Sequence, residues 1–185
     1  MRPSRDVWLN VVTAILALAA VTAFVNDRVR PAIAERARLD PGESIGEPLL
    51  VRRIRQNDTL TLGGGEPALV IVFQSTCAVC ERVAPVWRSI AQSVDTRPLA
   101  LGLESDSASV AWLKEKVPTA DAVAALDLSK FLDRFRIRAV PTTLLLAQGR
   151  LELVRIGPLQ SDDLIRIDQV FAAARTASMV VSQNR

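Results

Sequence analysis

The chain has 185 residues, 49% of them hydrophobic and 23% charged, enough to bury one core and too apolar for a disordered chain. It has no histidine and two cysteines, which excludes imidazole-based triads, His-containing metal centres and a four-cysteine zinc site within one chain. The net charge of +3 is local: six arginines against three carboxylates fall in residues 1–38, leaving 17 basic and 17 acidic residues of the total 23 and 20, so no nucleic-acid-binding face is expected.

Residues 1–6 read as a short N-terminal tail. Val7–Val25, VWLNVVTAILALAAVTAFV, carries no charge. In helical form it reaches about 28 Å, close to the hydrocarbon thickness of a bilayer, so it reads as a transmembrane anchor or a signal segment. Ala17-Leu18-Ala19 has the small-x-small form of a cleavage site. Arg2 and Arg5 precede the segment, and Arg28, Arg30, Arg36 and Arg38 follow it. Counting Lys and Arg alone would keep the C-terminal domain in the cytoplasm. The very short basic N-terminus and the sulfur chemistry argued below favour export, and export is the expectation. Residues 26–48 read as a linker, with a short helix over Ala32–Leu39 before Pro41, Gly42, Gly46 and Pro48 break regular structure.

Residues 49–185 read as the folded domain. Leu49–Ile54 and Thr59–Leu62 are expected as a β-hairpin turning at Gln56-Asn57-Asp58. Gly63-Gly64-Gly65 lacks the later glycine and lysine of a phosphate-binding loop. Ala68–Gln74, ALVIVFQ, suits a strand buried on both faces. A helix over about Ala78–Val94 has Val83, Val86, Trp87 and Ile90 on one stripe, with Pro85 expected to kink it. A strand over Pro98–Leu103 follows, then a helix over Ser107–Val117 capped by Asp106 or Ser107. Ala122–Leu126 is a strand and Ser129–Phe135 a short helix. Thr142–Ala147 and Leu151–Ile156 form a hairpin across Gln148-Gly149-Arg150, and Ser161 caps a last helix to about Arg175. The order gives an α/β domain with a central mixed sheet and helices on both faces.

Cys77-Ala78-Val79-Cys80 stands at the junction of the buried strand and a helix. The spacing can close a small disulfide ring. The helix N-terminus offers unpaired N–H groups and a partial positive charge, which stabilise a thiolate on the first cysteine. Cys77 is therefore the expected attacking sulfur. Cys80, one turn into the helix, is the expected resolving thiol. Two structural cysteines or half of an intermolecular metal site would also explain a lone pair; the strand-to-helix junction favours thiol–disulfide chemistry.

Four features in order resemble the thioredoxin superfamily over roughly Pro67–Ala174. They are CAVC after the apolar strand, Pro85 five residues after Cys80, the stretch FRIRAVPTTLLLAQGRL from Phe135 to Leu151, and the closing hairpin and helix. The resemblance implies a thioredoxin-like fold, a cis peptide before Pro141, and a partner-binding loop of Val140, Pro141 and Thr142 facing the motif by strand addition. The apolar N-terminal segment, the early hairpin and the long stretch between Cys80 and Pro141 resemble membrane-anchored TlpA/ResA-like proteins more closely. That implies a redox-active centre on a single-pass protein of the bacterial inner membrane, its domain in the periplasm. Its partners would be protein thiols and disulfides and a transmembrane electron donor, with no cofactor and no metal.

Departures from the family pattern are specific. Thr76 stands where a tryptophan usually precedes the first cysteine. Ile71 and Val83 stand where family members carry carboxylates that serve the second cysteine, with Glu81 and Glu104 as the acidic residues that could substitute. The expected function is a membrane-tethered extracytoplasmic thiol–disulfide oxidoreductase that reduces protein disulfides. The alternative is a non-enzymatic thioredoxin-fold binding module with a structural disulfide. A peroxidase of the related fold would place threonine or serine where Gln74 stands, and a copper-delivery protein would need a histidine.

Overall fold

The computed structural model describes residues 5–24 and 41–183, in two units, Met1–Arg38 and Leu39–Arg185. The described part of the first unit is α1, Arg5–Phe24, a helix of 20 residues. Its apolar side chains Ile15, Leu16, Leu18 and Val21 are exposed. Among the described residues no helix is long and apolar enough to cross a membrane. The expected helix at Ala32–Leu39 and the linker as far as residue 40 lie outside the described residues.

The second unit is built on one seven-stranded sheet of order β2-β1-β5-β4-β3-β6-β7. Its strands are β1 (Leu49–Arg53), β2 (Asp58–Leu62), β3 (Ala68–Phe73), β4 (Leu99–Gly102), β5 (Asp121–Ala125), β6 (Thr142–Ala147) and β7 (Arg150–Ile156). β3, β4 and β5 run parallel, and the remaining pairs are antiparallel. The N-terminal hairpin β1–β2 adds to the sheet through β1 against β5. The helices are α2 (Ala78–Ser93), α3 (Asp106–Lys116), α4 (Leu128–Arg134) and α5 (Ser161–Gln183).

β3 explains its own apolar run, because alternate residues point into different clusters. Val70 and Val72 pack on one face with Phe131 and Phe135 from the α4 region. Ile71 and Phe73 pack on the other with Val83 and Trp87 of α2 and Trp112 and Leu113 of α3. Leu69 joins Ile90 of α2 to Ile167 and Phe171 of α5. Both faces of the strand are thus dry, as a central parallel strand requires. α3 lies close to the sheet over Gly102: a Cβ there would stand 1.9 Å from Ser109 Oγ, so only glycine fits under the helix.

Several element ends differ from the sequence reading. α3 is capped by Ser105, whose Oγ accepts from the Ala108 N–H at 3.4 Å. Asp106 is the first helical residue, and its carboxylate accepts from Arg52 of β1 at 2.9 Å. Asp127 caps α4, which begins at Leu128, one residue ahead of the expected start. α5 runs to Gln183, eight residues past Arg175, through a stretch with neither glycine nor proline. Ser161, expected as its cap, is instead its first residue, and the Asp163 carboxylate accepts from the Gln160 N–H at 2.7 Å. β7 begins at Arg150, so the hairpin turn is Gln148-Gly149; both have positive φ, as a two-residue turn of that hand demands. Residues 42–45 of the expected linker lie against that hairpin. The Gly42 N–H donates to Leu151 O at 2.6 Å, the Ile45 N–H donates to Gly149 O at 3.0 Å, and Ile45 is buried.

Candidate redox site at the Cys77–Cys80 turn

β3 ends at Phe73, and the chain turns through Gln74–Cys77, where the Cys77 N–H donates to Gln74 O at 3.1 Å. Cys77 is the N-cap of α2, with extended backbone. Its sulfur does what a capping serine oxygen does elsewhere, accepting from the Cys80 N–H at 3.2 Å. The three-residue spacing is thus the N-cap to third-residue spacing of a helix start, and it directs the first sulfur at the helix's unpaired donors. The rest of the helix start is regular, with the Glu81 N–H donating to Cys77 O at 3.2 Å. α2 continues through Pro85 to Ser93 without a break.

The two sulfurs have opposite surroundings. Cys77 is half-buried and Cys80 fully buried, and both are free thiols. Burial works against a Cys77 thiolate. The Cys80 thiol, the N–H groups of Cys80 and Val79 and the Arg82 guanidinium outweigh it and hold the Cys77 thiol below its ordinary range. Cys80 sits among Ile71, Phe73, Val83 and Trp87. That burial, and then the adjacent Cys77 sulfur, push the Cys80 thiol up to about 12. One accessible sulfur poised toward the thiolate over one buried, protonated sulfur is the arrangement that nucleophilic attack followed by internal resolution needs.

The loop before β6 meets this pair. The Val140–Pro141 peptide is cis. The Cys77 thiol faces the Val140 carbonyl at 3.8 Å. Val140 is half-buried, but Pro141 and Thr142, both expected to contact a partner, are buried. Thr142 pairs with Val72 and Ile156 in the sheet, and its hydroxyl donates to Ala139 O at 2.7 Å. Pro141 O accepts from the Gly157 N–H at 2.8 Å. The loop's outward surface is therefore Arg138, Ala139 and Val140, and the two residues after it set the loop's position from below.

Three contacts around the motif were not read from sequence. Trp87, expected only as an apolar stripe residue, donates its indole N–H to Thr143 Oγ1 at 3.0 Å, tying α2 to β6 beside the loop. Arg82 is an exposed cation one turn beyond Cys77, visible in sequence only as a basic residue after the motif. Glu104, proposed from sequence without a place, accepts from both the N–H and the hydroxyl of Ser75. Glu81 instead is exposed and pairs with Lys116 at 3.2 Å. Ile71 and Val83, where the sequence resemblance implied carboxylates, are buried apolar residues. Two cavities, of about 460 and 400 Å³, flank α5, and neither is lined by a cysteine.

Comparison with family models and with curated proteins finds no match. Solved structures do match. A thiol-disulfide isomerase from Thermus thermophilus aligns with TM-score 0.60 and 18% identity, over 72% of this chain and 97% of that one. The thioredoxin domain of a thiol-disulfide oxidoreductase from Bacteroides vulgatus aligns with TM-score 0.58 and 15% identity, over 72% and 98%. StoA from Bacillus subtilis aligns with TM-score 0.54 and 18% identity, over 68% and 98%. Together with the cysteine turn on the central strand and the cis-proline loop facing it, these likenesses establish that the chain has the thioredoxin-like fold.

Proposed function

We propose that the chain is a TlpA/ResA-like thiol–disulfide oxidoreductase that reduces protein disulfides outside the cytoplasm, tethered to the bacterial inner membrane by its N-terminal helix. The observation that carries the reaction is the asymmetry of the sulfurs: Cys77 half-exposed at a helix N-terminus, Cys80 dry beneath it. The Cys77 thiolate attacks a client disulfide, forming a mixed disulfide and releasing one client thiolate. Cys80 gives up its proton and attacks the Cys77 sulfur, which releases the second client thiolate. The client gains two electrons and the chain is left with a Cys77–Cys80 disulfide, re-reduced by a transmembrane electron donor.

The loop supports a protein client. Its exposed edge, Arg138–Val140, presents backbone beside the nucleophile, where an extended client segment can pair. The partner-binding role expected for Val140, Pro141 and Thr142 then divides, Val140 meeting the client and Pro141 and Thr142 fixing the loop. The names of the matched structures, a thiol-disulfide isomerase and an oxidoreductase, agree with this chemistry. The tether rests on the uncharged run Val7–Val25 of the sequence; none of the described helices is itself long and apolar enough to cross a membrane.

The test is insulin disulfide reduction by the full chain in detergent micelles. Wild type reduces insulin, Cys77→Ser does not, and Cys80→Ser accumulates a covalent adduct through Cys77. Turnover by Cys77→Ser, or a Cys80→Ser variant that traps no adduct, would contradict the assignment, and the second result would favour the binding-module alternative.

A further inference from the structure

We propose that Glu104 is a positioning residue for Cys77, acting through Ser75. The proposal rests on the oxidoreductase reading for its importance but on separate geometry for its content. Glu104 Oε1 accepts from the Ser75 N–H at 2.8 Å, and Oε2 accepts from the Ser75 hydroxyl at 2.6 Å. Both are charge-assisted bonds, and the second has the length usual for O–H to carboxylate. Ser75 and Glu104 are half-buried, so water competes poorly for either.

The sheet brings them together. β3 and β4 pair Phe73 with Gly102, and the Leu103 N–H extends the ladder by donating to Phe73 O at 3.0 Å. Glu104 follows directly, and Ser105 after it is pinned as the cap of α3. The glutamate backbone is therefore fixed on both sides. The carboxylate in turn fixes the second residue of the Gln74–Cys77 turn, whose closing bond is the Cys77 N–H to Gln74 O. That turn aims the Cys77 sulfur at the Cys80 N–H on one side and at the Val140 carbonyl on the other. With the clamp removed the turn loses its anchor to β4 at Ser75, and the sulfur loses its fixed place over the helix start.

A positioning role differs from a charge role in its response to glutamine. In Glu104→Gln the amide oxygen still accepts from the Ser75 N–H, and the amide nitrogen donates to the Ser75 hydroxyl. Both contacts survive and the charge does not. Glu104→Ala loses both contacts. Ser75→Ala keeps the N–H contact and loses the other.

The experiment measures the rate of Cys77 alkylation by iodoacetamide in the reduced full chain, across pH 5–10, with thermal unfolding recorded for each variant. Glu104→Ala slows alkylation at pH 7 about tenfold, because the sulfur loses its fixed place beside the helix-start N–H groups that favour its thiolate. Glu104→Gln stays within about twofold of wild type, and Ser75→Ala falls about threefold, as loss of one of two bonds implies. A Glu104→Ala profile equal to wild type, or a Glu104→Gln variant as slow as Glu104→Ala, overturns the proposal. Should Glu104→Ala fail to fold, a Ser75→Ala profile identical to wild type does the same. Wild type that fails to reduce insulin while Glu104→Ala still shifts the profile leaves the positioning role standing and removes only the functional reading.

Discussion

Selective labelling of the reduced pair follows from the different surroundings of the two sulfurs. At pH 7 a thiol pushed up to about 12 is ionised in about one molecule in 100,000. An ordinary thiol is ionised to about 3% at that pH, and Cys77 lies below the ordinary range, so its fraction is larger. Because alkylation proceeds through the thiolate, and a thiolate of lower pKa is less nucleophilic, Cys77 should react roughly a hundredfold faster than Cys80, before the burial of Cys80 is counted. The assay is a short iodoacetamide pulse on the reduced full chain, followed by peptide mapping, repeated across pH. The Cys77 rate should rise with pH and level off below the plateau of a free thiol. In Cys80→Ala one hydrogen bond to the Cys77 sulfur is gone, worth about 1 kcal/mol, and the levelling point moves up by about one unit or less. Equal labelling of the two cysteines, or a Cys77 profile that levels off above a free thiol's, would refute the reasoning.

Two further substitutions test the frame around the site. Trp87→Phe strands the buried Thr143 hydroxyl and should cost about 1–3 kcal/mol of unfolding free energy, whereas adding Thr143→Val should recover part of it; additive losses in the denaturant double-mutant cycle would contradict the contact. Asp163 is buried; burial works against its carboxylate, but Arg155, at 2.7 and 2.8 Å, and the Gln160 N–H hold it below the ordinary carboxylate range. A lowered folded value gives stability that is present above about pH 4 and lost as pH falls through it. Asp163→Asn should therefore cost about 2 kcal/mol at pH 7, with the difference from wild type closing in acid. A difference that persists unchanged to pH 2 would contradict the ion pair.

What was legible in the sequence was what a local pattern decides. β3 shows as an unbroken apolar run because both of its faces are covered, and Cys77 shows as the sulfur nearest the helix-start N–H groups because it stands at a strand-to-helix junction. The cap of α3 was read as Asp106 or Ser107, but Ser105 takes that position and Asp106 turns instead to Arg52, 54 residues earlier. Which loop residues face outward was likewise hidden, because Thr142 is turned inward by pairing with Val72 and Ile156, and the Pro141 carbonyl accepts from the distant Gly157 N–H. Glu104 was visible as a carboxylate without a place. Its partner Ser75 lies 29 residues earlier, and only the β3–β4 register brings the two together. The missing carboxylates at Ile71 and Val83 were plain in the sequence, and both positions are buried in apolar surroundings.

The reduction potential of the Cys77–Cys80 pair tests the central claim most directly. The Cys77 thiolate is supported by helix-start N–H groups, one thiol and one arginine, and no histidine is present to stabilise it further. Strong thiolate stabilisation is what makes such a disulfide oxidising. Equilibration of the full chain with graded redox buffers, followed by alkylation and mass analysis, should show a two-electron transition near thioredoxin's, about −270 mV. A transition near −120 mV would make the chain a disulfide donor and contradict its assignment as a reductant.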